Sequence, residues 1–346
     1  MLLRNTHKLD NQKGAYFTVI KFDSKDVKPM TMVRGQYAQL MAPGIHKLFN
    51  QWLDTYQRDL EYPAIFNVES ITAAYADDVE FAGTAPMPYK PENTPVQYTQ
   101  VIQGGTLRYI PLTYALAARA SFELYEDDQY GVIKQIPKAL ARSQRFTEEM
   151  VPWNIFNLGF STVKTIDGVS LFNNQHPLLG GPTATAYAPG LSGVISAAGT
   201  FPNRPAVDVD LSLAAVIAMT NQFERIVDGV GLPIVLKPKA LVIPPALRFL
   251  ARELLGSPGK PGTATNEINA LLGEDLGYMV GHYLTSDTAW FAVCAKDQHQ
   301  LKFLWRKKPD MDYDDDFDTD ALKQKSKMRF AAGASHWLGV WGSNGP

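Results

Sequence analysis

The sequence predicts an α+β fold, and three observations carry that prediction. Apolar residues recur at three- and four-residue intervals in some stretches and alternate with polar ones in others, the two periods of helix and strand. Both patterns interleave through the second half of the chain, with Gly and Pro clusters between them. The 346 residues are 45% hydrophobic, 11% aromatic and 20% charged, the balance of a chain that buries a large core. That length predicts two domains, or one large domain with insertions.

Taken in chain order, residues 1–45 hold short apolar runs (15–22 AYFTVIKF, 37–43 YAQLMAP) broken by charge, Pro29, Pro43 and Gly44. Such an arm is expected to lie across something else, since it cannot bury a core alone. From Ile45 to Tyr62, Leu48, Phe49, Trp52, Leu53 and Tyr56 mark an amphipathic helix stopping before Pro63. Residues 75–113 read as a long extended hairpin whose tip is stiffened by Pro86, Pro88, Pro91 and Pro95. Val96, Tyr98 and Gln100, then Leu107, Tyr109 and Pro111, keep the strand-like period of two. A connection this long either packs on its own domain or lies on a partner, and its length points to the partner.

A helical stretch follows from Asp127 or Asp128 to about Phe160, with Val132, Ile133, Ile136, Leu140, Phe146, Met150, Ile155 and Phe156 at near-helical spacing. Pro137 and Pro152 each remove a donor, so a kink or restart is expected at both. A helix of about 30 residues would be a spine about 45 Å long. Residues 166–208 are rich in turns. In 210–228, Leu213, Val216, Ile217 and Phe223 share a helical face that ends at Gly229, and 240–243 form a short buried strand. Pro244 and Pro245 start the next helix, after which YMVGHYL, AWFAVCA and LKFLWRK read as strands. Seven aspartates (Asp310, Asp312, Asp314, Asp315, Asp316, Asp318, Asp320) precede the alternating Lys323, Lys325, Lys327 and Arg329. The expected arrangement is an acidic strand facing the following basic strand, or a basic patch on another subunit.

Composition narrows function by exclusion. With 33 basic and 35 acidic residues the formal charge is −2, which argues against disorder and against a non-specific nucleic-acid coat. Cys294 is the only cysteine, so no internal disulfide forms and no oxidising compartment is indicated. No run reaches the roughly 18 to 20 apolar residues that span a bilayer, so no membrane association is expected. The opening MLLRNTHKLDNQKGAYF lacks the apolar core of a secretory signal, and the expectation is an intracellular product.

No catalytic, cofactor-binding or metal-binding residues are expected from the motifs of the sequence. The six histidines are widely separated, and no two lie at a ligand spacing. Cys294 sits in an apolar run as a buried structural thiol would. The glycine-rich loop 256–263 departs from a P-loop: Leu254 stands at the first glycine position and Pro261 follows Lys260. The aspartate run starts like a calcium loop and then fails, with Asp315 at the turn glycine and Ala321 at the bidentate glutamate.

The order of parts (arm, proline-tipped hairpin, spine helix, turn-rich α/β insertion, returning strands) resembles the major capsid protein of tailed bacteriophages, the Hong Kong 97-type fold. DDVEFAGTAPMP resembles the entry to that family's extended E-loop, and DGVSLFNNQHPLL resembles a recurrent passage after the spine helix in Mu-like head proteins. PKALVIPPALRFLARELLGS resembles the strand–helix passage of the A-domain, and RFAAGASHWLGVWG the closing strand of the P-domain. The resemblance implies an N-terminal arm over 1–45, P-domain segments over 46–75 and 111–165, an E-loop over 76–110, an A-domain over 166–300 and P-domain return strands over 301–346. It implies a non-enzymatic subunit that self-assembles through hexamers and pentamers into an icosahedral virion shell. That shell would enclose double-stranded DNA without reading its sequence. A scaffolding protein, a portal and a decoration protein are the implied partners, and synthesis in the host bacterial cytoplasm is the implied origin. Intersubunit contact is expected at the hairpin tip through Pro86, Pro88, Tyr89, Lys90, Pro91 and Pro95, and the acidic run is expected to serve assembly. Two alternatives stay open: an encapsulin-type nanocompartment shell, and a metal-dependent hydrolase using His176 with aspartates of the acidic run.

Overall fold

A computed structural model describes residues 47–56, 59–84, 87–98, 101–121, 132–179, 199–259, 267–316 and 321–345. The arm over 1–45, the expected helix start at Asp127 or Asp128, Pro86, Asp318 and Asp320 lie outside the described residues, as do the side chains of Asp315 and Asp316.

Helix α1 spans 47–56 and α2 Tyr62–Ile65. The single helix expected over 45–62 is therefore shorter, and Pro63 lies inside α2, in the first turn where its missing N–H costs nothing. Strands β1 (Asn67–Ser70), β2 (Ala76–Phe81), β3 (Gln103–Tyr109) and β4 (Leu112–Ala120) follow, then the 26-residue α3, Val132–Asn157. At 1.5 Å per residue α3 is about 39 Å long. It does not restart at Pro137 or Pro152. Both prolines are buried, and the helix is held on either side of them by packing: Leu140 and Ala141 in one cluster, Trp153 and Phe156 in another. Phe146 and Met150, expected on the buried face, are instead exposed one turn apart.

After β5 (His176–Pro177) and β6 (Thr200–Phe201) comes α4, Leu213–Glu224, whose Ser212 hydroxyl accepts the Ala215 N–H as an N-cap. It buries Val216, Met219 and Phe223, and it ends well before Gly229. Strand β7 (Pro238–Ile243) leads through a 3-10 turn at Pro245–Leu247 into α5, Arg248–Gly256. Then follow β8 (Gly277–Val280), β9 (Trp290–Cys294), the long β10 (Leu301–Asp316) and β11 (Ala321–Ala334), and β12 (Val340–Ser343).

Two four-stranded sheets organise these elements, with orders β1-β10-β11-β4 and β12-β9-β7-β8. The segment 301–346, expected as one set of return strands, divides between them: β10 and β11 build the first sheet, while β12 pairs with β9 in the second. Period two explains how the second sheet is buried on both faces. In β9, Trp290, Ala292 and Cys294 face a core shared with α4 and α5, while Phe291 and Val293 face a core shared with α3 and the first sheet. The 166–178 passage is fastened to this sheet by side chains. His176, fully buried and stacked on Trp337, has Nδ1 2.6 Å from Asp167 Oδ2 and Nε2 3.1 Å from Asn203 Oδ1. The Asn203 amide donates to the carbonyls of Leu171 and Val340, which joins the passage to β12.

Candidate functional site

The 76–110 hairpin has a rigid base and an uncovered end. β2 and β3 pair antiparallel from Ala76↔Tyr109 to Phe81↔Gln103, with a bulge between Val79 and Phe81. Polar contacts tie this base to the body. Lys302 Nζ lies 2.7 Å from Asp78, the Ser335 hydroxyl donates to Asp78, Tyr109 Oη lies 2.6 Å from Ser335 Oγ, and His336 Nε2 meets Glu80 at 2.8 Å. Burial pushes the Tyr109 phenol above its ordinary range, so it stays a neutral hydrogen-bonding group. Gly333 makes this fit possible, because a Cβ there would lie 2.6 Å from the Tyr109 ring. Arg108 forks onto Asp77 with both nitrogens at 2.7 Å and sits 4.0 Å above the Tyr75 ring.

Past the hydrogen bond from Ala82 N–H to Ile102 O the ladder stops. Residues 94–98 form no strand, so the expected alternation of Val96 and Tyr98 does not become pairing, and Gln100 lies outside the described residues. A turn at 91–94 closes the tip, with Thr94 N–H donating to Pro91 O and Asn93 at φ 63°, a conformation Asn tolerates. Of the expected contact residues, Pro88, Tyr89, Lys90, Pro91 and Pro95 are all exposed here. Met87 is 99% exposed, Tyr98 98% and Tyr89 90%, and Phe81, Val96 and Val101 are each more than half exposed. The prolines drew attention to this tip from sequence; Phe81, Met87 and Val101 did not, although large apolar residues in a turn-rich stretch were the available signal.

The acidic run pairs within its own sheet. β10 and β11 are antiparallel, with Asp310↔Lys327, Asp312↔Lys325 and Asp314↔Lys323 in register. Lys327 Nζ bonds Asp312 Oδ2, Lys325 reaches the same oxygen at 3.9 Å, and Lys307 meets Asp310 at 2.8 Å. The Lys327 hydrogen bond holds the Asp312 carboxyl below the usual carboxylate range. The opposite face of the same ribbon carries Met311, Gln324, Ser326, Met328 and Phe330, all buried. There the Ser326 hydroxyl donates to Gln144 Oε1 of α3 at 2.6 Å.

Titratable groups elsewhere are occupied structurally. Burial pushes the Cys294 thiol up to about 12, a range in which it is no nucleophile at neutral pH. Asp167 and Asn203 take both ring nitrogens of His176, so the hydrolase alternative loses the ligand it names. Among the described residues no three His, Cys, Asp or Glu side chains are grouped to hold a metal, and no helix is long and apolar enough to cross a membrane. Glu148 is the strongly perturbed carboxyl: burial pushes it up to about 7, its Oε1 accepts the Tyr62 hydroxyl at 2.7 Å, and its Oε2 has no partner.

Residues 104–342 match the family model described as phage capsid protein. Among solved structures, the capsid of Cyanophage P-SCSP1u superposes with a TM-score of 0.51 at 8% identity, covering 83% of this chain and 88% of that one. The procapsid of bacteriophage JBD30 gives 0.49 at 14% identity over 90% and 76% of the two chains, and Microbacterium phage Oxtober96 gives 0.48 at 11% over 83% and 91%. At these identities the likeness concerns the fold. No curated protein matches the chain by sequence.

Proposed function

The chain belongs to the phage capsid protein family as a structural capsid protein, and on that premise we propose how it builds a shell. Identical copies assemble through hexamers and pentamers into the icosahedral head of a tailed phage, and the shell encloses double-stranded DNA without reading its sequence. A closed shell needs each subunit to present two different complementary surfaces. The hairpin of one copy supplies the first, and the face of a neighbour's α3 supplies the second, where Phe146 and Met150 are exposed.

One observation carries this reading: the tip of the 76–110 hairpin exposes large apolar side chains that no described residue of the same chain covers. A two-stranded ribbon is marginal alone, and laying it on a neighbour buries that surface once per subunit around the whole shell. The formal charge of −2 limits repulsion among many copies. A scaffolding protein guides assembly and a portal occupies one vertex; decoration proteins bind outside. The chain has no catalytic task, is made in the host cytoplasm and resides in the virion. Neither the nanocompartment nor the hydrolase alternative draws support from the family match.

Deleting 84–95 tests the reading. The deleted chain is expected to keep the circular dichroism and thermal transition of the parent while forming no closed particles by electron microscopy. Normal particles from the deleted chain would refute it.

A further inference from the structure

We infer that the Pro88–Pro91 stretch of a neighbouring copy's hairpin docks in the groove between β4 and α3, which receives it as a proline-helix ligand. This rests on the reading above that the hairpin meets a neighbour, and it names the surface that takes it. The groove holds about 340 Å³, within the roughly 300–1,000 Å³ of ligand pockets. Tyr114 and Leu116 of β4 line it together with Leu140, Ser143, Gln144 and Thr147 of α3. Leu116 is more than half exposed. Ser143, Thr147 and Met150 follow one another at i, i+4 and i+7, so the helical wall of the groove runs into the face where Phe146 and Met150 are exposed.

The unmet group in this groove is a donor. Gln144 is 5% exposed; its Oε1 accepts the Ser326 hydroxyl, and its Nε2 has no partner. A buried amide donor without an acceptor is costly. A fitting occupant therefore brings a carbonyl to Nε2 and apolar surface to Tyr114 and Leu116.

Pro88-Tyr89-Lys90-Pro91 brings both. Proline has no N–H, and the carbonyls of Pro88, Tyr89 and Lys90 accept no hydrogen bond from any described residue. In a proline helix of three residues per turn Pro88 and Pro91 lie on one face, and their fixed φ lowers the entropy lost on docking. P-x-x-P segments are recognised in this way by grooves with aromatic walls. All four residues are exposed on their own chain, so they do not fill that chain's groove, and the occupant is a second copy.

Two arms with the full-length chain test this docking. In the first, a chain carrying Lys90→Cys and Ser143→Cys is assembled and oxidised, and covalently linked multimers are expected on a non-reducing gel. Lys90→Cys with Phe249→Cys, a site exposed on α5, should give none, and the native Cys294 is buried. This arm leaves Gln144 in place. In the second, Gln144→Leu and the pair Pro88→Ala, Pro91→Ala should each raise the subunit concentration at which particles form by about threefold to tenfold, the scale of one hydrogen bond per copy. Combined, they should have no more effect than the larger of the two, because both remove the same contact. Absence of the 90–143 link, an equal link at 249, or effects that multiply when combined would each overturn the inference. If deleting 84–95 blocks particles while residues 90 and 143 do not link, the hairpin reading stands and the groove assignment falls; normal particles from the deleted chain would remove both.

Discussion

Two antiparallel ribbons of this chain have similar strand chemistry and opposite fates. β10–β11 is paired from Leu301↔Ala334 to Asp316↔Ala321, is flanked by β1 and β4, and has one face covered by α1 and α3. β2–β3 is paired only near its base, belongs to a two-stranded sheet, and ends in a tip that exposes Met87, Tyr89 and Tyr98. The difference lies in neighbours. The first ribbon can turn one face to a helix and leave a charged face to water, so its alternation is satisfied within the subunit. The second has no helix over its outer part among the described residues, so its apolar side chains stay exposed on the single chain, as the proposed contact with a neighbour requires.

Four variants put that contrast to the test. Phe330→Ala strikes the self-sufficient ribbon where Phe330 stacks on Phe303 at 4.8 Å and on Tyr114 at the same distance. It should cost about 3–5 kcal/mol in urea unfolding, the range for buried Phe truncation. A cost below about 1 kcal/mol would mean the ribbon is not held by this packing.

Glu148→Gln acts on the contact through which α3 meets Tyr62, which itself stacks on Phe303 at 4.3 Å. The folded carboxyl titrates at about 7 against an ordinary 4.5. Between those values the unfolded chain holds fewer protons than the folded one, so stability falls as pH rises through this window and levels off above it. The Gln variant should flatten that slope and be more stable than the parent at pH 8 by roughly 1–3 kcal/mol. Burial also raises Glu149, which keeps part of the slope in the variant. Parallel stability–pH curves for parent and variant would contradict the assignment.

Asp312→Asn with Asp314→Asn removes charge from the ladder that faces Lys323, Lys325 and Lys327. Exposed pairs of this kind contribute little to stability and are screened by salt. The substitution should therefore shift the salt dependence of assembly, read by light scattering, and leave the thermal transition nearly unchanged. An unaltered salt profile would remove the acidic run from assembly. Tyr98→Ala should have the smallest effect on the subunit, within about 0.5 kcal/mol as for an uncommitted surface site, while lowering particle yield. A clear loss of subunit stability would show that the tip packs on its own chain.

Features set by near neighbours in the chain were legible in the sequence. Local period located the face of α1, the core of α4 and the buried β7, and the charge pattern left the acidic run facing either the following basic strand or another subunit; the structure has the first, an antiparallel hairpin that brings Asp310–Asp314 onto Lys323–Lys327. The proline-rich tip was legible too, through residues that cannot join a ladder. Tertiary contact decided the rest. β1 runs parallel to β10 more than 230 residues away, and β12 leaves the sheet of β11 to join β9. α3 passes two prolines without stopping because clusters on either side hold it, and Phe146 and Met150 face outward although their spacing suits the core. His176 finds Asp167 and Asn203 only once the 166–178 passage folds onto β12. Period reports which residues share a face, whereas the surface that meets that face depends on which distant segments collide and bury the most.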